Sequence, residues 1–184
     1  MSTRSHPGIP GFASASERLA SAYRFAHDAH EGPRRRGNTT IDHPEEVARM
    51  LHQAGYSEDV VAAALLHDVV EDTDTDVSEL SVRFGPEVAS LVAQLTEDPG
   101  IPGYDERKRD LRRRAAGDGH HAAAIFTADK LASARHLNAA HEVPARERLD
   151  HFERTARTVR RHHPEVPFLD WLEDEIAALR RRAG

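Results

Sequence analysis

Apolar positions recur along this chain at intervals of three and four, the spacing of one face of an α-helix. Leu19, Ala22, Tyr23 and Ala26 predict a first helix from about Ser14 to Ala29. The stretch "HEGPRRRGNTTIDH" follows as a loop punctuated by Gly32, Pro33 and Gly37. Pro44 then opens "PEEVARMLHQAG", which stops at Gly55 as helices do. Ser57 is the expected N-cap of "SEDVVAAALLHDVVED", whose first turn carries acids suited to the positive end of a helix. Val77, Leu80 and Val82 predict a short helix stopped at Gly85, and Pro86 starts the next in "PEVASLVAQLTE". After the Gly/Pro loop "DPGIPGYDE", a helix is expected from near Asp105 through "RKRDLRRRAAG". Three more are predicted. The first, over 120–138, buries Ala124, Ile125, Ala128, Leu131 and Ala132. The second, over 144–162, presents Leu149, Phe152, Ala156 and Val159. The third, over 167–182, presents Phe168, Trp171, Leu172, Ile176 and Leu179.

No stretch alternates with period two for long enough to predict a sheet, and no repeat is visible. The fold class expected is all-α, a bundle of eight or nine helices. With 184 residues, the chain reads as a flexible N-terminal arm over 1–13 and one domain over 14–184 that includes the C-terminal helices.

Composition narrows the chemistry. Some 39% of the residues are hydrophobic, enough for a sizeable core, and cysteine is absent. That absence excludes disulfides, thiolate metal sites and a cysteine nucleophile, so any transition metal must be held by His, Asp and Glu. No apolar run approaches the roughly 20 residues of a membrane span, and "MSTRSHPGIPGF" lacks the apolar core of a signal peptide. Cytoplasmic residence is therefore the default expectation, with no membrane partner. The formal net charge of -6 lacks the basic excess of a nucleic-acid binder. Locally, "GPRRRGN" and "RKRDLRRR" are basic while "VEDTDTDVSE" is acidic. Such patches suit a site that holds both a metal and a phosphate-bearing ligand, and they suit solvated helix faces equally well.

The most informative stretch is "AALLHDVVEDTDTD". His67 and Glu71 are four apart, as are Asp68 and Asp72, so two neighbouring polar stripes leave an otherwise apolar helix. An imidazole nitrogen and a carboxylate oxygen suit Mn, Fe, Co, Ni or Zn. Adjacent residues point about 100° apart on a helix, so both reach one ion only at the helix edge or where it ends. Further potential ligands are His43, just before Pro44, and Asp129, an acid inside the apolar "AAAIFTADKLASAR". Burying that Asp is costly unless it is paired or bound to metal. A calcium-loop reading of "DTDTD" fails, because the required Gly and closing Glu are not at their offsets.

A His, a later His-Asp doublet and a distant Asp make this chain resemble the HD phosphohydrolases. It resembles most the (p)ppGpp hydrolase domains of the Rel/SpoT group. The resemblance runs from about Tyr23 to Arg135 through "AHEGPRRRG", "HPEEVARML", "AALLHDVVEDTD", "FGPEVASLV" and "ADKLASAR". It implies an HD-domain helical bundle with one metal ion, usually Mn²⁺, held by His43, His67, Asp68 and Asp129. It also casts Glu71 and Asp72 as the catalytic pair, a role that suits carboxylates one turn beyond the ligands. For the substrate, it implies Arg34 stacked on a purine and Arg35 near phosphate. Lys130 and Arg135 follow Asp129 on its helix, and one of them could face the site; Ser133 stands where the family's Asn holds the nucleotide and could do so only through water or a shifted pose. Arg107, Lys108, Arg109, Arg112 to Arg114, His120 and His121 are further groups that could reach phosphates.

The chain departs from the pattern in its nucleotide-recognition residues. The usual "GEPYIxHP" is "GNTTIDHP", "TKL" is "TED" at Thr96 to Asp98, and "ADRLHNMR" is "ADKLASAR", with Ala132 and Ser133 in place of His and Asn. The expected function is (p)ppGpp 3′-pyrophosphohydrolysis, acting on a small-molecule nucleotide. Two alternatives stand beside it: hydrolysis of another nucleotide or phosphorylated metabolite, and a non-catalytic sensor or interaction domain with a vestigial site. The last predicts a missing ligand or a missing Glu71 or Asp72, and the sequence lacks none of them. Oligomeric state is not legible.

Overall fold

The structure, a computed structural model, describes residues 8–31, 40–117 and 119–184. Among the described residues it contains helices and no strand. Nine helices have eight residues or more: α2 (Glu17–Glu31), α3 (Asp42–Gln53), α4 (Glu58–Leu66), α6 (Val77–Phe84), α7 (Pro86–Leu95), α8 (Tyr104–Gly117), α9 (His120–Ala139), α10 (Arg146–His162) and α11 (Leu169–Ala183). Two single turns, α1 (Gly11–Ser14) and α5 (Val69–Asp72), complete the set. The helices expected from periodicity are all present. Residues 1–7 of the expected arm lie outside the described residues, while α1 contributes the buried Ala13 to the core.

The centre of the bundle is α4. Every residue from Val60 to Leu66 is 0% exposed, which fits a helix that is apolar on all sides. It packs against α2, α3, α7 and α9. Each large side chain fully buried here contributes on the order of 1.5–3 kcal/mol. The second buried helix, α9, packs on α3, α8, α10 and α11. Its Ala122, Ala123, Ala124, Ala128, Ala132 and Ala134 are all buried, and their small side chains let the neighbouring helices approach closely.

The connections follow elementary backbone chemistry. Gly85 adopts φ 92° between α6 and α7, a conformation that favours glycine, and Pro86 starts α7 without needing its missing N–H. Arg18 on α2 donates to the Phe84 carbonyl at 2.6 Å, satisfying an orphan acceptor at the end of α6. Arg114 does the same for α7, donating to the carbonyls of Ala93 and Thr96 at 2.8 Å each. In the acidic run, Asp76 caps α6 by accepting from the Glu79 N–H at 2.8 Å. Ser57 makes no side-chain cap bond, although its carbonyl starts α4 by accepting from Val61. Val82 and Trp171, which the periodicity placed among apolar faces, are 88% and 52% exposed.

His151 shows where α8, α9 and α10 meet. It is buried, its Nδ1 accepts from Arg112 Nη1 at 2.7 Å, and its ring lies 6.0 Å from Phe126. Burial, then the nearby Lys130, Lys108 and Arg112 charges, push its pKa down to about 2. The folded protein therefore holds this ring neutral while the unfolded chain protonates it below about pH 6.5. Stability from this group is present above that value and falls as pH drops below it. Between pH 7 and 5.5, wild type is expected to lose about 1 kcal/mol more unfolding free energy than His151→Gln. Urea denaturation of both proteins at the two pH values checks this, and equal losses would refute it.

Candidate metal centre and cleft

The His67–Asp68 doublet sits where α4 ends. The chain turns through His67 (φ -62°, ψ -32°) and Asp68 (φ -91°, ψ -12°) and resumes as α5. The single helix expected through Asp72 is therefore broken at the doublet, with Asp68 near the sparsely populated bridge region. Asp68 Oδ1 comes within 3.2 Å of His67 Nε2.

His67 is buried, and its Nδ1 donates to the Ala64 carbonyl at 2.8 Å. That bond places the proton on Nδ1 and leaves a bare lone pair on Nε2. Nε2 is buried and hydrogen-bonded to nothing among the described residues. A nitrogen lone pair faces a carboxylate oxygen, two acceptors with no proton between them. Buried acceptors are rarely left so, and a cation resolves the conflict.

Two other helices bring the remaining donors. His43, at the start of α3, has its ring 5.5 Å from that of His67 and its Nε2 3.1 Å from Asp129 Oδ1. One ligand atom each from His43, His67 and Asp129 lie within 4.8 Å of one another. Asp129 is buried on α9, and its Oδ2 accepts from Lys130 Nζ at 2.6 Å. Burial pushes the Asp129 carboxyl up, but the Lys130 ammonium and the His43 hydrogen bond hold it well below the usual range. Lys130 is pulled down by burial and lifted further by Asp129, so it stays above its ordinary value. Burial likewise lowers His43, and its bond to Asp129 with the Asp129 and Asp68 charges more than offsets this. The nitrogen and oxygen donors fit a divalent transition metal.

Glu71 and Asp72 lie on α5, one turn past the His67–Asp68 doublet, and Asp72 is buried. Glu71 Oε1 accepts from the backbone N–H of Glu97, just after α7. Burial raises the Glu71 pKa. The Glu97 N–H lowers it, the Asp68 and Glu97 charges raise it and Lys108 lowers it; the balance remains upward. Glu97 is buried and paired with Lys108 and with Arg107 Nε at 3.0 Å. Burial raises its carboxyl, and those two cations bring it below its ordinary value.

An open cleft of about 500 Å³ lies over His43, Asp68 and Asp129. Lys130, Ser133, His136 and Arg148 line it. His136 is three residues beyond Ser133 on α9, so helical spacing alone could have placed it there. Arg148 comes from α10, and no local pattern marks it. Arg135 does not reach the cleft. It reaches Met50 Sδ at 3.6 Å and Glu175 at 3.8 Å, and lies 5.7 Å from the Trp171 ring centroid. Five of the basic candidates on α8 are also committed elsewhere: Arg107 and Lys108 to Glu97, Arg112 to His151, Arg113 to Asp110, and Arg114 to the end of α7; Arg109 is exposed. His120 and His121 are away from the cleft, beside Tyr56. Arg34 and Arg35 lie outside the described residues.

The HD domain family matches residues 22–157, which spans all of these site residues. The mouse and human proteins named guanosine-3′,5′-bis(diphosphate) 3′-pyrophosphohydrolase MESH1 are each 42% identical to this chain over 130 residues, 68% of this chain and 72% of theirs. In three dimensions the chain is similar to the solved structure of a metazoan ortholog of SpoT that hydrolyzes ppGpp and plays a role in starvation responses. That likeness has a TM-score of 0.69 at 30% identity and covers 97% of this chain and 99% of the other. This chain belongs to the HD domain family.

Proposed function

We propose that this chain is a cytoplasmic guanosine-3′,5′-bis(diphosphate) 3′-pyrophosphohydrolase. In this reading His43, His67, Asp68 and Asp129 hold Mn²⁺, and the enzyme releases pyrophosphate from (p)ppGpp. Membership of the HD domain family makes it a metal-dependent hydrolase. The observation that carries the metal assignment is the buried, unpartnered Nε2 of His67, converging with His43 and Asp129 beneath the cleft. The relatives' printed activity supports the substrate. No helix among the described residues is long and apolar enough to cross a membrane.

When bound, the ion supplies Lewis acidity to water and to a phosphoryl oxygen. The chain's own groups do the rest. Hydrolysis joins a water oxygen to phosphorus and breaks the bond to the ribose 3′ oxygen, which leaves as a hydroxyl; the products from ppGpp are GDP and pyrophosphate. Glu71 takes the water's proton. Its Oε1 is anchored by the Glu97 N–H, and its raised pKa makes it a stronger base than an exposed carboxylate. Asp72 is the second member of the catalytic pair. Lys130 and Arg148 face the cleft and offset phosphate charge. Ser133, also in the cleft wall, offers a hydroxyl to the nucleotide.

Metal-stripped protein given Mn²⁺ is expected to convert ppGpp to GDP and pyrophosphate, resolved by anion-exchange chromatography. Glu71→Gln and Asp72→Asn are each expected to lower kcat by about 10²- to 10⁴-fold while retaining the metal content of wild type. Full activity in the double variant would remove both residues from the mechanism. His67→Ala should lose the bound Mn²⁺ and the activity together, read by elemental analysis alongside turnover. If ppGpp stays intact while Mn²⁺ binds, the substrate is another nucleotide or phosphorylated metabolite.

A further inference from the structure

A second convergence of metal-ligating side chains lies apart from the cleft. His120, at the start of α9, and His163 and Glu165, in the connection from α10 to α11, bring one ligand atom each within 4.8 Å of one another. His120 Nδ1 is 2.9 Å from Glu165 Oε1, and His163 Nδ1 is 3.8 Å from the same oxygen. Ligand atoms around a tetrahedral zinc ion with bonds of about 2.0–2.1 Å are separated by about 3.3 Å. The two observed separations bracket that value.

The surroundings fit a metal site. His120 Nε2 is 3.0 Å from the Tyr56 hydroxyl, in the connection between α3 and α4. With Nε2–H donating to that oxygen, the His120 lone pair is left on Nδ1, facing Glu165. Such outer hydrogen bonds orient metal-bound histidines. The contact of His163 Nδ1 with Glu165 is long, at 3.8 Å, so an ion binding that nitrogen displaces no short hydrogen bond, while the other ring nitrogen, Nε2, is buried without a partner among the described residues. His120 and His163 are part-buried and Glu165 is exposed, which leaves solvent access for an ion and room for a water ligand.

We infer that His120, His163 and Glu165 form a second divalent-metal site, of the class that takes Zn²⁺, oriented by Tyr56. The ion ties the connection before α11 to the first turn of α9. Its role is structural, because neither the hydrolytic donors nor the cleft residues take part in it.

The test is Zn²⁺ stoichiometry on the full chain, by equilibrium dialysis and elemental analysis. Wild type is expected to bind two equivalents. His163→Ala and Glu165→Gln should each bind one, with hydrolase activity unchanged, and His67→Ala should also bind one. Tyr56→Phe should weaken the second equivalent by about 10- to 100-fold. At a 100-fold excess of free Zn²⁺ over its Kd, the melting temperature of His67→Ala should rise by about 5 °C or more, and that of a His67→Ala, Glu165→Gln double variant should not. One equivalent in wild type, or two in both His163→Ala and Glu165→Gln, would overturn the assignment. Circular dichroism confirms that each variant is folded, and the exposed Glu165 makes its variant informative should His163→Ala fail to fold.

Discussion

Burial of α4 on every side is the constraint on which the rest of this molecule depends. A helix that is apolar from Val60 to Leu66 has no solvent face for polar groups, so polar residues appear only at its two ends. His67 and Asp68 occupy the C-terminal end, and the turn between α4 and α5 brings the imidazole and the carboxylate together. The Ala64 carbonyl, an acceptor left over from the last turn of the helix, becomes the group that fixes the His67 tautomer. The end of a core helix thereby supplies half of the candidate metal centre. The other half comes from α3 and α9, which pack directly on α4 and on each other.

The electrostatics show the same economy. Asp68, Glu71, Glu97 and Asp129 bring four carboxylates into one region, and burying them uncompensated would be prohibitive. Lys130 answers Asp129, while Arg107 and Lys108 answer Glu97. Glu71 is held by a backbone N–H and is the carboxylate of this group whose pKa is displaced upward. Asp129 and Glu97 are displaced downward. Groups displaced downward stay ionised beside their cations, whereas a group displaced upward suits proton transfer.

Helix positions and helix faces were legible in the sequence, because burial imposes a period that composition cannot hide. The candidate donors stood out as well: His43, the doublet and Asp129 are polar residues set in apolar surroundings, and the structure brings His43, His67 and Asp129 together. What the sequence concealed depends on tertiary direction. Arg135 follows Asp129 by six residues, yet it turns toward α11 and the Trp171 ring. Arg148 enters the cleft from a distant helix with no local mark. The basic run on α8 looked like a phosphate surface, and instead it joins α8 to α7, to Glu97 and to His151. The break at the doublet was also hidden, since no glycine or proline announces it.

The anchor on Glu71 separates two kinds of information at position 97. The group that holds Glu71 is a peptide N–H, which every amino acid except proline supplies. The side chain at the same position serves a different partnership, with Arg107 and Lys108 on α8. Position 97 can therefore drift in charge over evolutionary time without disturbing the carboxylate it positions, provided α8 drifts with it. An acid stands here where the resembled pattern has a lysine, and two cations on α8 meet it. The departure from that pattern is met one layer behind Glu71, where the backbone holds the carboxylate and the side chain at 97 answers to α8.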